Sequence, residues 1–295
     1  MKIIKGIKKV IKSNEQLYKF IRPIELKYDI SRNRIRNAYD MAVQFLINPV
    51  IRKKVWREET KDLLKFHNIH KGQRIFVIAT GPSLREEDVL KLKDEITMSV
   101  NEAVALVDTI GWRPTYYFIV DPSMWLWKKN EINNAGYKDV FMSINNMKEF
   151  EADFSFVPHY FTVYKNIRCI LETCEINVHG KLKAEFSDDI YLKGAYGDRS
   201  VVTVAVQMAA YMGASEIYLL GQDCDYSGPK SYFCGGISEI MQKNPKFADR
   251  WASSMFAFYR TARQYCEAHH IKLYNATRGG RLEELERVDF DKVVK

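Results

Sequence analysis

The stretch Arg74-Ile-Phe-Val-Ile-Ala-Thr-Gly-Pro-Ser-Leu84, followed at once by Arg85-Glu-Glu-Asp88, decides the fold. Ile75 to Ala79 is an apolar run of the kind that becomes a buried strand, and it breaks at Thr80-Gly81-Pro82. A helix is expected next, with Ser83 as its N-cap. Glu86 and Glu87 then fall in the first turn, where carboxylates oppose the helix dipole. Gly81 lets a ligand approach the backbone, and the free N–H groups of a helix start can receive a phosphate. The first strand of a nucleotide-binding α/β sheet is built this way. The spacing matches neither the dinucleotide G-x-G-x-x-G nor the P-loop G-x-x-x-x-G-K-[ST], so both are set aside.

Outward from that stretch, strand and helix patterns alternate. Strands are expected at Ile75–Ala79, Ile96–Val100, Tyr116–Val120, Val140–Ile144, Phe161–Tyr164, Glu216–Leu220 and Ile271–Tyr274. Helices are expected at Glu86–Lys93, Ser200–Met212 and Trp251–His269. Strands separated by helical patterns predict a doubly wound, mostly parallel, Rossmann-like sheet. Thr80, Asn101, Asp121, Asn145, Asp223 and Asn275 each stand at or just after a strand end. In an open α/β sheet the ligand crevice lies outside the carboxyl ends of the strands. Singly, each fits the ordinary use of Asn and Asp in turns and caps; six together describe a polar pocket.

Composition bounds the rest. With 295 residues, 46% hydrophobic and 28% charged, the chain reads as globular rather than disordered. No apolar run reaches the roughly 18 residues of a membrane-spanning helix, and the lysines in the first ten residues argue against a signal peptide. The five cysteines, Cys169, Cys174, Cys224, Cys234 and Cys266, form no CxxC pair, as expected for reduced thiols in a cytoplasm. The six histidines show no H-x-x-x-H spacing that would suggest structural zinc.

The formal charge of +8 is uneven. Residues 1–75 carry 19 Lys+Arg against 7 Asp+Glu, and the remainder is slightly acidic. No nucleic-acid module accompanies that basic region, so nucleic acid is not an expected partner. Residues 1–12 set Ile3, Ile4, Ile7, Val10 and Ile11 at helical spacing among five lysines. Such a helix either lies on an anionic membrane surface or packs its apolar stripe on the body. Residues 33–66 also look helical, broken at Pro49. Two regions are therefore expected: a basic helical N-terminal extension over 1–70 and a nucleotide-binding α/β domain over 71–295.

The ordered motifs carry a family resemblance. Gly81-Pro-Ser-Leu84, the strand ending at Asn101, Tyr117-Phe-Ile-Val-Asp-Pro122, Ser200–Gly213, Glu216–Asp223 and Ile271–Thr277 resemble the bacterial family 42 sialyltransferases. They are equally similar to the group related to archaeal 6-hydroxymethylpterin diphosphokinase, whose bacterial members accompany surface-polysaccharide genes. The resemblance covers about residues 70–290. Its sialyltransferase side implies a variant GT-A-like glycosyltransferase fold, a CMP-sugar donor and no required metal. It would lay Thr80, Gly81, Pro82 and Ser83 along the donor nucleotide and phosphate, with Asn101 and Ser200 as further donor contacts and Asp223 beside the cytidine or ribose. Asp121 and Asn145 complete the expected donor-binding set. Tyr226 and Tyr232 match the two tyrosines that stabilise the departing phosphate.

The sequence departs from those enzymes in two places. Thr80 stands where they have asparagine, and Lys243–Ser254 holds no histidine where they carry their base. Asp249 is nearest that place and is the candidate base; it equally suits a helix N-cap or first-turn charge. Tyr226 and Tyr232 equally suit half-buried loop aromatics, and Asp198 a cap for the helix after Ser200. Asp223 and Asp225 form a D-x-D pair, the pattern that holds Mg²⁺ or Mn²⁺ if the reaction uses one.

The expected function is glycosyl transfer, of a sialic-acid-like or other sugar, from a nucleotide-activated donor to a glycan or lipid-linked acceptor. It would belong to surface-polysaccharide assembly by a cytoplasmic homo-oligomer, peripheral on the inner face of the cell membrane. The alternatives are a diphosphokinase using ATP on a pterin-like alcohol, and a non-catalytic nucleotide-binding protein.

Overall fold

The computed structural model describes residues 57–166, 183–197, 200–234 and 245–294. The chain divides into two units, Met1–Ile47 and Asn48–Lys295, and all described residues lie in the second. The expected helix of residues 1–12, most of the helical pattern of 33–66, and Asp198 lie outside the described residues.

Eight strands form one sheet: β1 Arg74–Ile78, β2 Ile96–Val100, β3 Tyr116–Ile119, β4 Asp139–Ser143, β5 Pro158–Phe161, β8 Glu216–Leu220, β9 Lys272–Asn275 and β10 Glu286–Arg287. Their order is β10-β9-β8-β1-β2-β3-β4-β5, and every neighbouring pair is parallel. The chain runs outward from β1 to β5, then returns to the opposite side of β1 to lay down β8, β9 and β10. The order therefore reverses between β1 and β8, which is where doubly wound sheets open a ligand crevice.

Alternation along the strands builds a core on each side. Ile75 and Val77 of β1, with Ile217 and Leu219 of β8, face α4 (Val202–Tyr211) and α5 (Pro245–Ala268). Phe76, Ile78, Tyr218 and Leu220 face the other layer, formed by α1 (Glu86–Leu90), α2 (Ala105–Ile110) and α6 (Phe290–Val293). Further along that layer, α3 (Pro122–Asn134) buries Trp125 and Ile132 against Tyr117, Ile119 and Met142. A strand buried on both faces needs no polar alternate, which is why these strands read as continuous apolar runs.

The expected strands fall within a residue or two of their positions apart from one region, and β10 stands where no strand is expected. The expected strand Phe161–Tyr164 is two: β5 ends at Phe161, and β6 (Val163–Lys165) pairs with β7 (Ala195–Gly197) in a separate two-stranded sheet. Gln207 on α4 explains how β7 is held. Its Oε1 accepts from the Tyr196 and Ser187 amides, and its Nε2 donates to the Tyr196 and Thr203 carbonyls. A buried amide with every group satisfied ties β7 to α4.

Three other expectations change. Ser83 does not cap α1, which starts at Glu86 after an extended Arg85 and has no side-chain cap. The last long helix begins at Pro245 rather than Trp251, so Asp249 lies within α5. Residues 61–66 form a 3₁₀ turn, and its Leu63 and Phe66 are buried in the core of the α/β domain. His159 helps hold that turn, its two ring nitrogens lying 2.5 Å from Asp62 and 2.7 Å from Asp139.

No helix among the described residues is long and apolar enough to cross a membrane. Trp125 is fully buried and meets Phe154 edge-on at 4.8 Å between centroids. Trp125→Ala is expected to cost about 3–5 kcal/mol, because the surrounding layer cannot close over a lost indole. Urea unfolding followed by far-UV circular dichroism measures it.

Candidate functional site

The reversal between β1 and β8 sets two turns side by side. The ladder continues past both strands: the Ala79 amide donates to the Leu220 carbonyl at 2.8 Å, and the Gly81 amide to the Gly221 carbonyl at 2.9 Å. Gly81 is thereby pressed against the next turn. A Cβ on Gly81 would stand 2.0 Å from Asp223 Oδ2 and 2.5 Å from the Gly221 carbonyl oxygen. Only glycine fits there.

Asp223 is the centre of this arrangement. It is 6% exposed, and its Oδ2 accepts the Ser83 hydroxyl at 2.9 Å and the Ser83 amide at 3.4 Å. The demand of Asp223 for donors explains why Ser83 turns away from α1. On the far side the turn after β9 closes on the same residue. The Arg281 amide donates to the Asp223 carbonyl at 2.7 Å. Gly280, at φ +79°, packs so tightly that a Cβ would lie 2.2 Å from that carbonyl oxygen. Burial pushes the Asp223 carboxyl above its ordinary range; the Ser83 hydrogen bonds oppose this and the Asp225 charge adds to it. Among the described residues no other residue donates to Oδ1.

Asp225 is in a different state. Burial acts to raise its pKa, but hydrogen bonds from the Ser227 hydroxyl and amide, with the Arg281 charge, hold it below the usual range. Among the described residues no three His, Cys, Asp or Glu side chains come together as a metal cage. Each carboxylate of the D-x-D pair already accepts hydrogen bonds at one oxygen, Asp223 from Ser83 and Asp225 from Ser227. A divalent ion here would take the rest of its shell from substrate phosphates and water.

The loop after β8 folds back over the neighbouring strand ends. The Phe233 amide donates to the Thr80 carbonyl at 3.0 Å. Tyr232 is half-buried, and its hydroxyl is pushed to higher pKa by burial first and then by the charges of Glu102 and Cys234. Tyr226 lies against α5, its hydroxyl 3.9 Å from Met255 Sδ. Asn101, at the end of β2, has φ +48°, and its buried Oδ1 meets no partner among the described residues. Cys224 beside Asp223 also has positive φ, +50°. Left-handed backbone at non-glycine residues costs energy and gathers at functional sites. Here two such residues flank the reversal.

The remaining expected residues are spread more widely. Strands stand about 4.8 Å apart, so six neighbouring strand ends span roughly 24 Å, too far for all to face one small ligand. Asp121 caps α3 through the Ser123 amide at 2.8 Å. Asn145 pins β6, accepting the Val163 amide at 3.2 Å and donating to its carbonyl at 2.8 Å. Asn275 is fully buried, bonded to Leu282 and Thr277. Ser200 Oγ accepts the Val202 amide at 3.3 Å in the turn that leads into α4. Asp249 is exposed and pairs with Arg281 at 3.2 Å, which links it to the turn that closes on Asp223.

Several residues escape sequence reading. Gly279, Gly280 and Arg281 form the second wall around Asp223, and the Gly-Gly dipeptide after a strand end was the available signal. Arg278 holds that turn, forking onto the nearly buried carboxylate of Asp88 at 2.5 and 2.7 Å and reaching Asp291 at 2.8 Å. Glu102 lies 3.8 Å from Lys128 on α3, a contact no motif announces.

The sequence profile described as "6-hydroxymethylpterin diphosphokinase MptE-like" matches residues 52–229. The chain belongs to the MptE-like family. No curated protein matches it. Among solved structures it is similar to the sialyltransferase CstII from Campylobacter jejuni, determined with the substrate analogue cytidine-5'-monophosphate. That similarity has a TM-score of 0.41 at 15% identity and covers 74% of this chain and 85% of that one. Thr80, Gly81, Ser83, Asn101, Asp223 and Tyr226 all fall within the part matched by the MptE-like family.

A raised carboxyl pKa has a defined sign in stability. Its contribution is full below the unfolded pKa and is lost as pH rises through the higher folded value, where the buried group must ionise. Asp223→Asn removes that penalty and keeps an acceptor for Ser83. The variant is expected to unfold at a temperature at least as high as wild type at pH 7, with the difference vanishing near pH 4. It should also lose any nucleotide-induced rise in unfolding temperature. Gly280→Ala is expected to lower the unfolding temperature at every pH, since its backbone cannot accept a Cβ. Thermal scans from pH 4 to pH 8 compare both variants.

Proposed function

We propose that this chain is a nucleotide-dependent transferase that moves a glycosyl group from a nucleotide-activated sugar to a hydroxyl acceptor. One observation carries the reading: a buried carboxylate with one open oxygen at the strand-order reversal, walled by two glycine turns and flanked by hydroxyl side chains. Asp223 Oδ1 suits a hydrogen bond from a ribose hydroxyl or a base amino group. The Thr80–Ser83 turn runs along the sugar and phosphate.

Charge pairing limits the positive charge open to phosphates. Among the described residues, Arg281 pairs with Asp249, Lys128 with Glu102 and Glu131, and Arg278 with Asp88 and Asp291, while Arg85 and Lys230 beside the two turns are exposed. A phosphodiester-linked sugar asks for one negative charge to be stabilised, and a triphosphate asks for about four. Hydroxyl donors serve the smaller demand, and on this reading Tyr226 and Tyr232 would be the donors to a departing phosphate. Asp249 takes the acceptor proton as the hydroxyl attacks the anomeric carbon, the bond to the nucleotide phosphate breaking as the new glycosidic bond forms. On this reading Arg281, held between Asp249 and the Asp223 turn, couples the base to the donor site.

Family membership favours a second reading, transfer of diphosphate from ATP to a pterin-like alcohol. Asp223 and Asp225 would then be the residues to hold a magnesium ion, which would offset phosphate charge. The two readings part in one experiment. Unfolding temperature is measured with CMP, UDP, GDP and ATP, each with and without Mg²⁺, because a ligand of the folded state raises it. Stabilisation by CMP without metal supports glycosyl transfer. Stabilisation by ATP only with Mg²⁺, with AMP released in the presence of a hydroxymethylpterin, supports the second reading. Hydrolysis of a CMP-sugar is then the activity assay. Tyr232→Phe is expected to lower its kcat by about 10²-fold with little change in KM, as for loss of one donor to developing charge.

A further inference from the structure

β10 is a strand with nothing to bury. Its two residues, Glu286 and Arg287, are both exposed, and it pairs only with β9, Glu286 beside Tyr274 and Arg287 beside Asn275. A strand steadies a sheet mainly by what its side chains pack against, and neither residue belongs to the core. What β10 brings is the Arg287 side chain, which folds back over the turn after β9. Nη1 donates to the Thr277 and Gly279 carbonyls, both at 3.1 Å, and Nη2 to the Gly280 carbonyl at 3.2 Å. Glu283 steadies the fork, accepting from Nε at 2.9 Å and lying 2.7 Å from Nη2.

Gathering the carbonyls orients the amides. In a trans peptide the N–H points opposite to the C=O that precedes it. The amides of Arg278, Gly280 and Arg281 therefore face away from Arg287, and the Arg281 amide lands on the Asp223 carbonyl at 2.7 Å. That contact sets Asp223 on one side of the turn and Arg287 on the other. The two glycines complete the approach. A Cβ on Gly279 would lie 3.3 Å from Ser83 Cβ and 3.5 Å from Asp223 Oδ1, and one on Gly280 would lie 2.4 Å from Asp223 Cα. Arg278, on the same turn, reaches outward to Asp88 and Asp291 instead.

We infer that Arg287 is the positioning residue of the nucleotide crevice: from behind the glycine turn, it fixes the distance of that turn from Asp223 and Ser83. The inference rests on the nucleotide-binding reading and deepens it. The role asks for a guanidinium, because a planar fork can span several carbonyls at once. A lysine ammonium is a point charge on a flexible stem.

The test measures nucleotide affinity of the full chain by calorimetry. The probe is whichever of CMP, UDP, GDP and ATP, with or without Mg²⁺, raises the unfolding temperature of wild type most. Binding is compared well below the unfolding temperature of each variant, so that only folded protein is read. Arg287→Ala is expected to weaken binding about tenfold, and Arg287→Lys by nearly as much. With CMP as the probe, CMP-sugar hydrolysis should show the loss in KM, with kcat within about twofold of wild type. Methylguanidinium at millimolar concentration should restore part of the affinity of Arg287→Ala and none of that of Arg287→Lys, whose stem fills the space. A merely structural arginine would lower the unfolding temperature of both variants and leave the affinity of the folded protein unchanged; that result overturns the inference. So does wild-type affinity in Arg287→Lys, which would show that charge alone suffices. If wild type binds a nucleotide and Arg287→Ala binds it equally, the positioning role fails and the crevice stands. If no nucleotide stabilises wild type, the functional reading fails and takes the inference with it.

Discussion

A single buried carboxylate organises the crevice. Asp223 is largely shielded from water, so its carboxylate depends on the donors the protein brings to it. Ser83 supplies two donors to one oxygen, and that contact draws the turn after β1 across the end of β8. The glycines at 81 and 280 follow from the same demand, because both turns must come within reach without side chains between them. Remove the carboxylate and the reason for two close glycine turns and a displaced serine disappears together.

The rest of the fold sets this residue at its place. A parallel sheet with helices on both sides has one position where outgoing and returning halves of the chain diverge, and here that position lies between β1 and β8. The apolar alternation of β1 and β8 fixes the sheet on both faces and leaves the strand ends as the polar part. Strain collects there as well: Asn101 and Cys224, on either side of the reversal, hold backbone conformations that neither a strand nor a helix would choose. The Oδ1 of Asn101 is buried and meets no partner among the described residues.

The strands were legible because burial on both faces writes them as apolar runs, and their polar ends were legible because strand ends are where polar residues resume. The helix starts were harder. Ser83 has the right type and spacing for a cap, yet a long-range contact with Asp223, 140 residues later, outbids the local one. Asp249 looked like a terminal charge because the helix was measured from its first bulky residue, Trp251, while Pro245 is itself a favoured first helical residue. The row of polar strand ends also mixed two populations. Asp121, Asn145 and Ser200 do structural work within a few residues or on a neighbouring edge. Asp223 and Ser83 converge, and convergence across the sheet has no local signature. Glu102, Lys128 and Arg281 meet the site only through tertiary contacts, which a single sequence does not record.

The fork of Arg278 on Asp88, shared with Asp291, ties three distant parts of the chain: α1, the turn after β9, and the last helix α6. Lys91 adds a second contact to Asp291. The glycine wall behind Asp223 is therefore tensioned from the far end of the polypeptide, by residues that touch no ligand. Such a layout makes the crevice a reporter on the docking of α6. A change at Asp291 would reach the turn behind Asp223 through Arg278, with no contact of its own to the crevice.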